Sequence, residues 1–335
     1  MKLREEGRPI TLFAPTNDAF LKLEEIYLER LLKGQSCVEP FLLNHILNST
    51  FCSSAVKTFA SVKNALNIIL PVKRFDEKLE IDGIPIIQRD LLATNGIIHV
   101  IDGVLLSEKS QPISRYLEKH RMTEFLDLIK ESGLLTEWDA LQNVSFLIPS
   151  TEVLKALPKR RLDYIKNNTK EMVDFLVIKP KTNVFEWKSN QMLDTVSGNQ
   201  IRVNSFGDTF GLRATKTAQC GKIFAQNEIC GANIQIVDRL ITPTKGNLIQ
   251  VLDSLEKFSI LRKIIKSSGL DEELQKGVFT LLALTDQSLT NQFSRNQIDF
   301  LISNKSESEK FIRNHLFPEV MCCSGIDQLL TLLRL

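Results

Sequence analysis

One ten-residue pattern occurs three times in this chain and sets its architecture. TLFAPTNDAF (Thr11 to Phe20) returns as SFLIPSTEVL (Ser145 to Leu154) and again as TLLALTDQSL (Thr280 to Leu289). The spacing, about 135 residues, is that of a whole domain rather than of a solenoid unit. Each copy opens with a short apolar strand, passes a Ser or Thr (Thr16, Ser150, Thr285), and continues with a helical pattern. The hydroxyl can accept a hydrogen bond from an unpaired N–H of the helix's first turn. A chain of repeated domains points to binding or scaffolding, because repetition multiplies weak contacts.

Other segments repeat in step. SQPISRYLEKHRMTEFLDLIKESGL (Ser110 to Leu134) matches TKGNLIQVLDSLEKFSILRKIIKSSGL (Thr244 to Leu270), and each predicts two amphipathic helices closed by Ser-Gly. TNGIIHVIDGVLL (Thr94 to Leu106) matches ANIQIVDRLIT (Ala232 to Thr242). One unit therefore runs helix pair, strand-turn-helix, further helices, then a sheet of short strands. The predicted domains are 1–108, lacking its leading helices, 109–243, complete, and 244–335, ending before its sheet. The chain reads as a fragment of a longer protein.

Within the first unit, Thr11 to Ala14 is strand-like and Pro15 closes it. Phe20, Leu23, Ile26, Leu28, Leu31 and Leu32 make an apolar helix side, with Gly34 as C-cap. Phe41, Leu42, His45 and Ile46 make a second short helix face. Leu66 to Val72 reads as a buried strand, Leu79 to Ile87 as a hairpin turning at Asp82-Gly83, and Ile97 to Leu106 as the closing strand. In the middle unit a hairpin is predicted over Gln191 to Val203 around Ser197-Gly198-Asn199. Arg202 to Phe206 should pair with Thr209 to Thr215 across Gly207-Asp208. The fold class is α+β, helices packed on a compact, mostly antiparallel sheet wedge.

A net charge of +2 gives no general electrostatic case for nucleic acid or an anionic membrane. Met1 to Pro9 is charged and carries no apolar core of a signal peptide. The six cysteines are Cys37, Cys52, Cys220, Cys230, Cys322 and Cys323. Cys37 with Cys52, and Cys220 with Cys230, are close enough in sequence to pair; buried free thiols are the other reading. Asn-x-Ser/Thr sites fall at Asn48, Asn143, Asn167 and Asn304, and Asn143 stands where the following strand can block it.

TLFAPTNDAF and TNGIIHVIDGVLL resemble the two signature blocks of the fasciclin domain, and NHIL (Asn44 to Leu47) and NHLF (Asn314 to Phe317) resemble the Asn-His block between them. The resemblance covers nearly the whole chain, and the signatures are degraded in the second and third units. It implies a non-catalytic adhesion protein, secreted to the extracellular matrix, binding integrins and matrix components such as collagen, with no cofactor. A membrane-tethered fasciclin protein, anchored outside this stretch, is the alternative. The resemblance also points to an Asp-hydrophobic pair before the second block as receptor-reactive, here Asp90-Leu91, with Glu228-Ile229 in that place in the middle unit. The other reading of Asp90 is a solvated turn aspartate. Asn44, His45, Asn314 and His315 are candidates of the same kind, against a role in the core.

Catalysis is tested by the repeats themselves. His45 and His315 align with Leu176, and His99 aligns with Gln235. A metal ligand or general base is not replaceable by leucine, so these histidines read as structural and the chain as no enzyme. Lys159-Arg160-Arg161 is short for a glycosaminoglycan contact and reads as a solvated helix start.

Overall fold

A threonine hydroxyl at the head of a strand organises the first repeat. The computed structural model describes residues 9–34, 37–207 and 214–324. The second residue of strand β1 (Ile10–Pro15) is Thr11, whose Oγ1 donates to Ser49 O at 2.7 Å and accepts from Phe51 N at 2.8 Å. The hydroxyl thereby pins the segment that follows the Asn-His block. Strand β15 (Thr280–Leu281) repeats the device, with Thr280 Oγ1 donating to Glu319 O at 2.6 Å and accepting from Met321 N at 2.7 Å.

The elements of the first repeat follow in order. After β1 come α1 (Asn17–Leu21), α2 (Glu25–Leu32), α3 (Val38–Asn44) and β2 (Ile46–Leu47). Then come β3 (Phe59–Lys63), β4 (Ile69–Phe75), β5 (Lys78–Ile81), β6 (Ile84–Ala93) and β7 (Gly96–Ile101). Among the described residues these strands form a sheet ordered β2-β1-β7-β6-β5-β4-β3. All its pairings are antiparallel except β1 with β7, which run parallel. The β5–β6 turn is Asp82-Gly83, both residues left-handed at φ 50° and 78°, as the hairpin reading requires. Strand β4 alternates rather than being buried throughout: Leu70 and Val72 face the core, while Ile69 and Phe75 are exposed. The core gathers Phe13, Leu47, Phe51, Leu70, Val72, Leu79, Ile81, Ile101 and Leu105.

The middle repeat holds α4 (Ile113–Lys119), α5 (Thr123–Glu131), α6 (Leu135–Ala140), β8 (Val144–Pro149), α7 (Thr151–Lys155), α8 (Lys159–Asn167), α9 (Thr169–Phe175) and β9 (Val177–Ile178). Its remaining strands are β10 (Gln191–Asp194), β11 (Gln200–Phe206), β12 (Thr215–Ala218), β13 (Gly221–Ile229) and β14 (Ala232–Val237). Among the described residues its sheet is ordered β10-β11-β12-β13-β14-β8-β9. The β10–β11 hairpin turns around Gly198 at φ 82° as expected, Asp194 pairing with Gln200. Strand β11 pairs with β12, Phe206 opposite Thr215; the expected partner run from Thr209 falls mostly on residues outside those described. The third repeat contributes α10 (Leu248–Asp253), α11 (Ser259–Ser268), α12 (Asp271–Lys276), α13 (Asp286–Gln292), α14 (Arg295–Ser303), α15 (Lys305–Arg313) and β16 (Leu316–Phe317), which pairs with β15. Its core is helical, around Leu261, Ile264, Ile265, Leu274, Leu289 and Ile312.

By internal contacts the chain divides into two compact units, Met1–Phe146 with Gln226–Ile234, and Leu147–Ala225 with Gln235–Leu335. The helix-capping reading holds at two of three sites. Thr16 accepts from Ala19 N and Thr285 from Ser288 N, while Ser150 makes no side-chain cap. The three copies also share one backbone bond. Phe13 N donates to His45 O at 2.9 Å, Leu147 N to Leu176 O at 2.8 Å, and Leu282 N to His315 O at 2.9 Å. The alignment of histidine with leucine is thus reproduced in the backbone.

Thr11→Val keeps the side chain's shape and removes both bonds. It should cost about 1–3 kcal/mol, because the Phe51 amide and Ser49 carbonyl lose their partner. Urea denaturation should show a lower midpoint with an unchanged slope; an unchanged midpoint would remove the hydroxyl from this role.

Candidate functional site

The Asn-His block is a clamp on one peptide group. Asn44 ends α3, and its Nδ2 donates to Leu105 O at 2.7 Å. His45 Nε2 accepts from Leu105 N at 3.0 Å, and its Nδ1 donates to Phe41 O at 2.8 Å. The two side chains thus satisfy both polar groups of Leu105 after β7 has ended. Asn44 Oδ1 in turn accepts from Asn64 Nδ2 at 2.6 Å, and Asn64 Oδ1 closes a turn by accepting from Leu66 N and Ile68 N. Asn44 and His45 are each 2 % exposed, which withdraws both from any partner. Burial pushes the His45 pKa down, partly offset by the bond to Phe41.

The third repeat keeps less of this clamp. His315 Nδ1 donates to Phe311 O at 2.8 Å, and the ring packs on Phe311 at 4.7 Å. His315 is half-buried and Asn314 exposed. The stretch 325–335 lies outside the described residues.

Asp90 is a second tie. The loop expected for it is absent: Asp90 lies within β6, where the register against β7 shifts between Gln88 and Leu91. Its φ of 55° marks the bulge, which turns its side chain toward the segment after the Asn-His block. One carboxylate oxygen accepts from Ser53 N at 2.8 Å and the other from Ser53 Oγ. His99 sits beside it, fully buried, accepting from Asp90 N at 3.3 Å and donating from Nε2 to Phe51 O at 2.8 Å. Partial burial pushes the Asp90 carboxyl up, but the Ser53 bonds, with His99 and Arg89 adding to them, more than offset it and hold it below its ordinary value. Arg74 completes the set, donating to Ser53 O and Val56 O at 2.7 Å each.

Thr11, Asp90, His99 and Arg74 thus converge on one stretch, Ser49 to Val56. The sequence had singled out Asp90 and His99 without connecting them, and it passed over Thr11, Ser53, Asn64 and Arg74 as working residues. One signal was available: Thr11, Ser145 and Thr280 place a hydroxyl at the same repeat position. Leu91 is part-exposed and Leu92 largely exposed. Counted from the turn after each strand, Asp90 is three residues before Ala93, and Gln226 is three before Ile229. Gln226, rather than Glu228, therefore stands at the matching place in the middle repeat.

The cysteines correct the expected pairs. Cys37 bonds to Cys230, with Cα atoms 5.3 Å apart, and Cys220 to Cys322, at 5.1 Å. Cys52 and Cys323 are free and exposed. Cys220–Cys230 fails on geometry. The two residues sit at opposite ends of β13, whose nine residues span about 30 Å, far beyond the reach of a disulfide. Cys37–Cys52 does not form either, because Cys37 is bonded to Cys230 and Cys52 is free.

The glycosylation candidates differ. Asn48, Asn143 and Asn167 are exposed, while Asn304 is half-buried and caps α15 by accepting from Glu307 N at 3.2 Å. Thr169 of the Asn167 site is buried, its hydroxyl donating to Ile165 O and Lys166 O. Lys159, Arg160 and Arg161 start α8 and are exposed.

With this geometry in view, comparison with known proteins is informative. The fasciclin domain model matches residues 1–107, 120–243 and 256–334. The chain is 28 % identical over 338 residues to transforming growth factor-beta-induced protein ig-h3 of Sus scrofa, covering 98 % of this chain and 47 % of that protein. It is 27 % identical over 323 residues to periostin of Homo sapiens, covering 95 % of this chain and 37 % of periostin. It spans about half or less of the length of these relatives. Among solved structures, a FAS1 domain pair from the insect cell adhesion molecule Fasciclin I matches 70 % of this chain and 88 % of that one, at 17 % identity and a TM-score of 0.33.

Two substitutions separate structural from surface roles. Asp90→Ala should destabilise by about 1–2 kcal/mol, since Ser53 N–H loses a charged acceptor; a melting temperature unchanged from wild type would return Asp90 to the surface. His45→Leu copies the middle repeat but leaves Leu105 N–H unpaired. It should cost about 1–3 kcal/mol in mildly alkaline buffer. It should also flatten part of the acid slope. The folded pKa of His45 lies below its ordinary 6.5, so the unfolded chain binds the extra proton first, and stability is full above pH 6.5 and lost as pH falls below it. An identical acid slope in wild type and His45→Leu would contradict this.

Proposed function

Because this chain belongs to the fasciclin domain family, we propose that it is a non-catalytic adhesion protein of the extracellular matrix. It binds integrin-type cell receptors and matrix components such as collagen, by weak contacts summed over tandem repeats. The observation that carries this reading is the tandem array: one hydrogen-bonded frame is rebuilt along a chain whose length is almost entirely fasciclin repeat. The side chains that chemistry would recruit first support it. His45 and His99 have both ring nitrogens engaged with backbone, and Asp90 is held by Ser53. Contacts with partners then fall to the surface.

The solvent face of β3–β6 is suited to that role. Phe59, Ile69, Phe75 and Ile87 are exposed there. Lys73 pairs across from Phe59, Lys63 from Ile69, and Lys78 from Phe75, so each of these three apolar groups has a cation beside it. Such a face fits a protein partner offering apolar and acidic side chains. We place the receptor contact on this face rather than on Asp90 and Leu91.

Cell attachment to the immobilised chain tests the reading. Integrins engage ligands through their own metal ion, so a chelator should abolish attachment. Phe59→Ser with Phe75→Ser should lower attachment several-fold while leaving the melting temperature within a few degrees of wild type. Attachment indifferent to both chelator and substitution would sink the proposal.

A further inference from the structure

Strand β3 is the outer strand of the first repeat's sheet. Its ladder with β4 leaves every second residue facing outward. Arg74 N donates to Thr58 O at 2.8 Å and Asn64 N to Ile68 O at 2.9 Å, in the register that sets Phe59 opposite Lys73. The bonded pairs between them are therefore Ala60–Val72 and Val62–Leu70. Pro71 agrees with this. It stands opposite Ser61 with no N–H to offer, and its carbonyl accepts from Asp82 N at 2.8 Å on its other side. The N–H and C=O of Phe59 and Ser61 thus point away from the sheet, and among the described residues nothing bonds to them there.

The middle repeat shortens the same edge. Its outer strand β10 has four residues against five in β3. Thr195 N donates to Asn199 O at 2.9 Å, so Leu193 and Gln191 bond to β11 while Met192 and Asp194 point outward. Asp194 O then accepts from Lys179 N at 2.9 Å, which leaves Met192 as the open position among the described residues. The two sheets correspond at this corner, since Leu47 bridges Asn64 and Ile178 bridges Thr195. The longer open edge therefore belongs to the first repeat.

What this edge can take is set by its side chains. Ala60 and Val62 lie half-buried against the core, so an added strand meets apolar surface on its inner side. Phe59, Ser61 and Lys63 are exposed on the outer side, and Lys73 of β4 is exposed opposite Phe59. Neither β3 nor β4 carries a carboxylate; Glu80 of β5, across from Lys73, is on the side away from the edge. A second copy pairing here would bring Lys63 and Lys73 of both chains together, and lysines on an edge strand oppose such self-pairing. The same charges attract an acidic chain.

We infer that β3 accepts an extended acidic segment of a partner protein as an added strand. The segment's backbone bonds to the outward groups of Phe59 and Ser61, its apolar side chains cover Ala60 and Val62, and its carboxylates meet Lys63 and Lys73. Because side chains alternate along a strand, the segment that fits alternates apolar and acidic residues. The inference rests on the placing of partner contacts on the β3–β6 face, and it states how the partner's chain enters there.

The test is amide hydrogen exchange on the whole chain, with a capped heptapeptide of alternating valine and glutamate as the probe. Without peptide, the Phe59 and Ser61 amides should exchange freely; saturating peptide should slow both about tenfold or more. Ala60 and Val62, already bonded to β4, should change little. Ser61→Pro removes one outward N–H and spares the β4 ladder, so it should weaken peptide binding about tenfold and lower cell attachment several-fold. The exchange measurement needs no variant and stands if Ser61→Pro fails to fold. Phe59 and Ser61 amides left unprotected by the peptide would overturn strand addition. So would equal binding of a fully N-methylated copy of the peptide, which keeps its charge and has no donors. Protection that rises with protein concentration alone would give the edge to a second copy instead. If any of these occurs while Phe59→Ser with Phe75→Ser still lowers attachment, the face remains the receptor contact and strand addition alone falls. Attachment indifferent to that pair and to chelator removes both.

Discussion

The hydroxyl of Thr11 is the constraint on which the first repeat depends. It joins strand β1, between β2 and β7 in the sheet, to a segment about forty residues later, and it does so through two backbone groups at once. Asp90, His99 and Arg74 then hold the same segment from three other places in the sequence. The segment has no ladder of its own, so these side chains supply the partners that its backbone would otherwise lack. The Asn-His clamp does the equivalent for Leu105. Thr280 shows that the device belongs to the repeat and not to one copy.

Much of the fold was legible in the sequence because local chemistry and global architecture agree there. Asp82-Gly83 demands a two-residue turn, and the alternation of Ile97, His99 and Ile101 demands a half-buried strand. The three-fold recurrence gave the repeat before any element was assigned. What stayed hidden was long-range. Asp90 reads locally as a turn residue, because aspartate tolerates a left-handed backbone. It does adopt that backbone, but in a bulge inside a strand, and a bulge is set by its partner strand rather than by its neighbours in sequence. The cysteine pairs failed for a similar reason. Closeness in sequence suggested Cys220 with Cys230, while an extended strand between them carries the two ends apart.

The repeats also explain how function can vary on a fixed frame. Histidine 45 gives way to Leu176 without loss of the backbone bond that both positions make. His99 gives way to Gln235, whose side-chain atoms are buried without a partner. The frame therefore tolerates change in its side chains while the solvent face of each sheet is free to diverge. That division suits a protein that acts by contact: the interior is shared, and the surface is where one copy differs from the next.

The central claim is that the segment Ser49 to Val56 is held as part of the fold and not as an open loop. Native-state hydrogen exchange reads this directly through the amides of Phe51 and Ser53, bonded to Thr11 and Asp90. Both should exchange only on global unfolding, with protection matching that of Leu12 and Ile98 in the paired strands β1 and β7. Exchange at the rate of an unprotected loop, while those strand amides stay protected, would contradict the account.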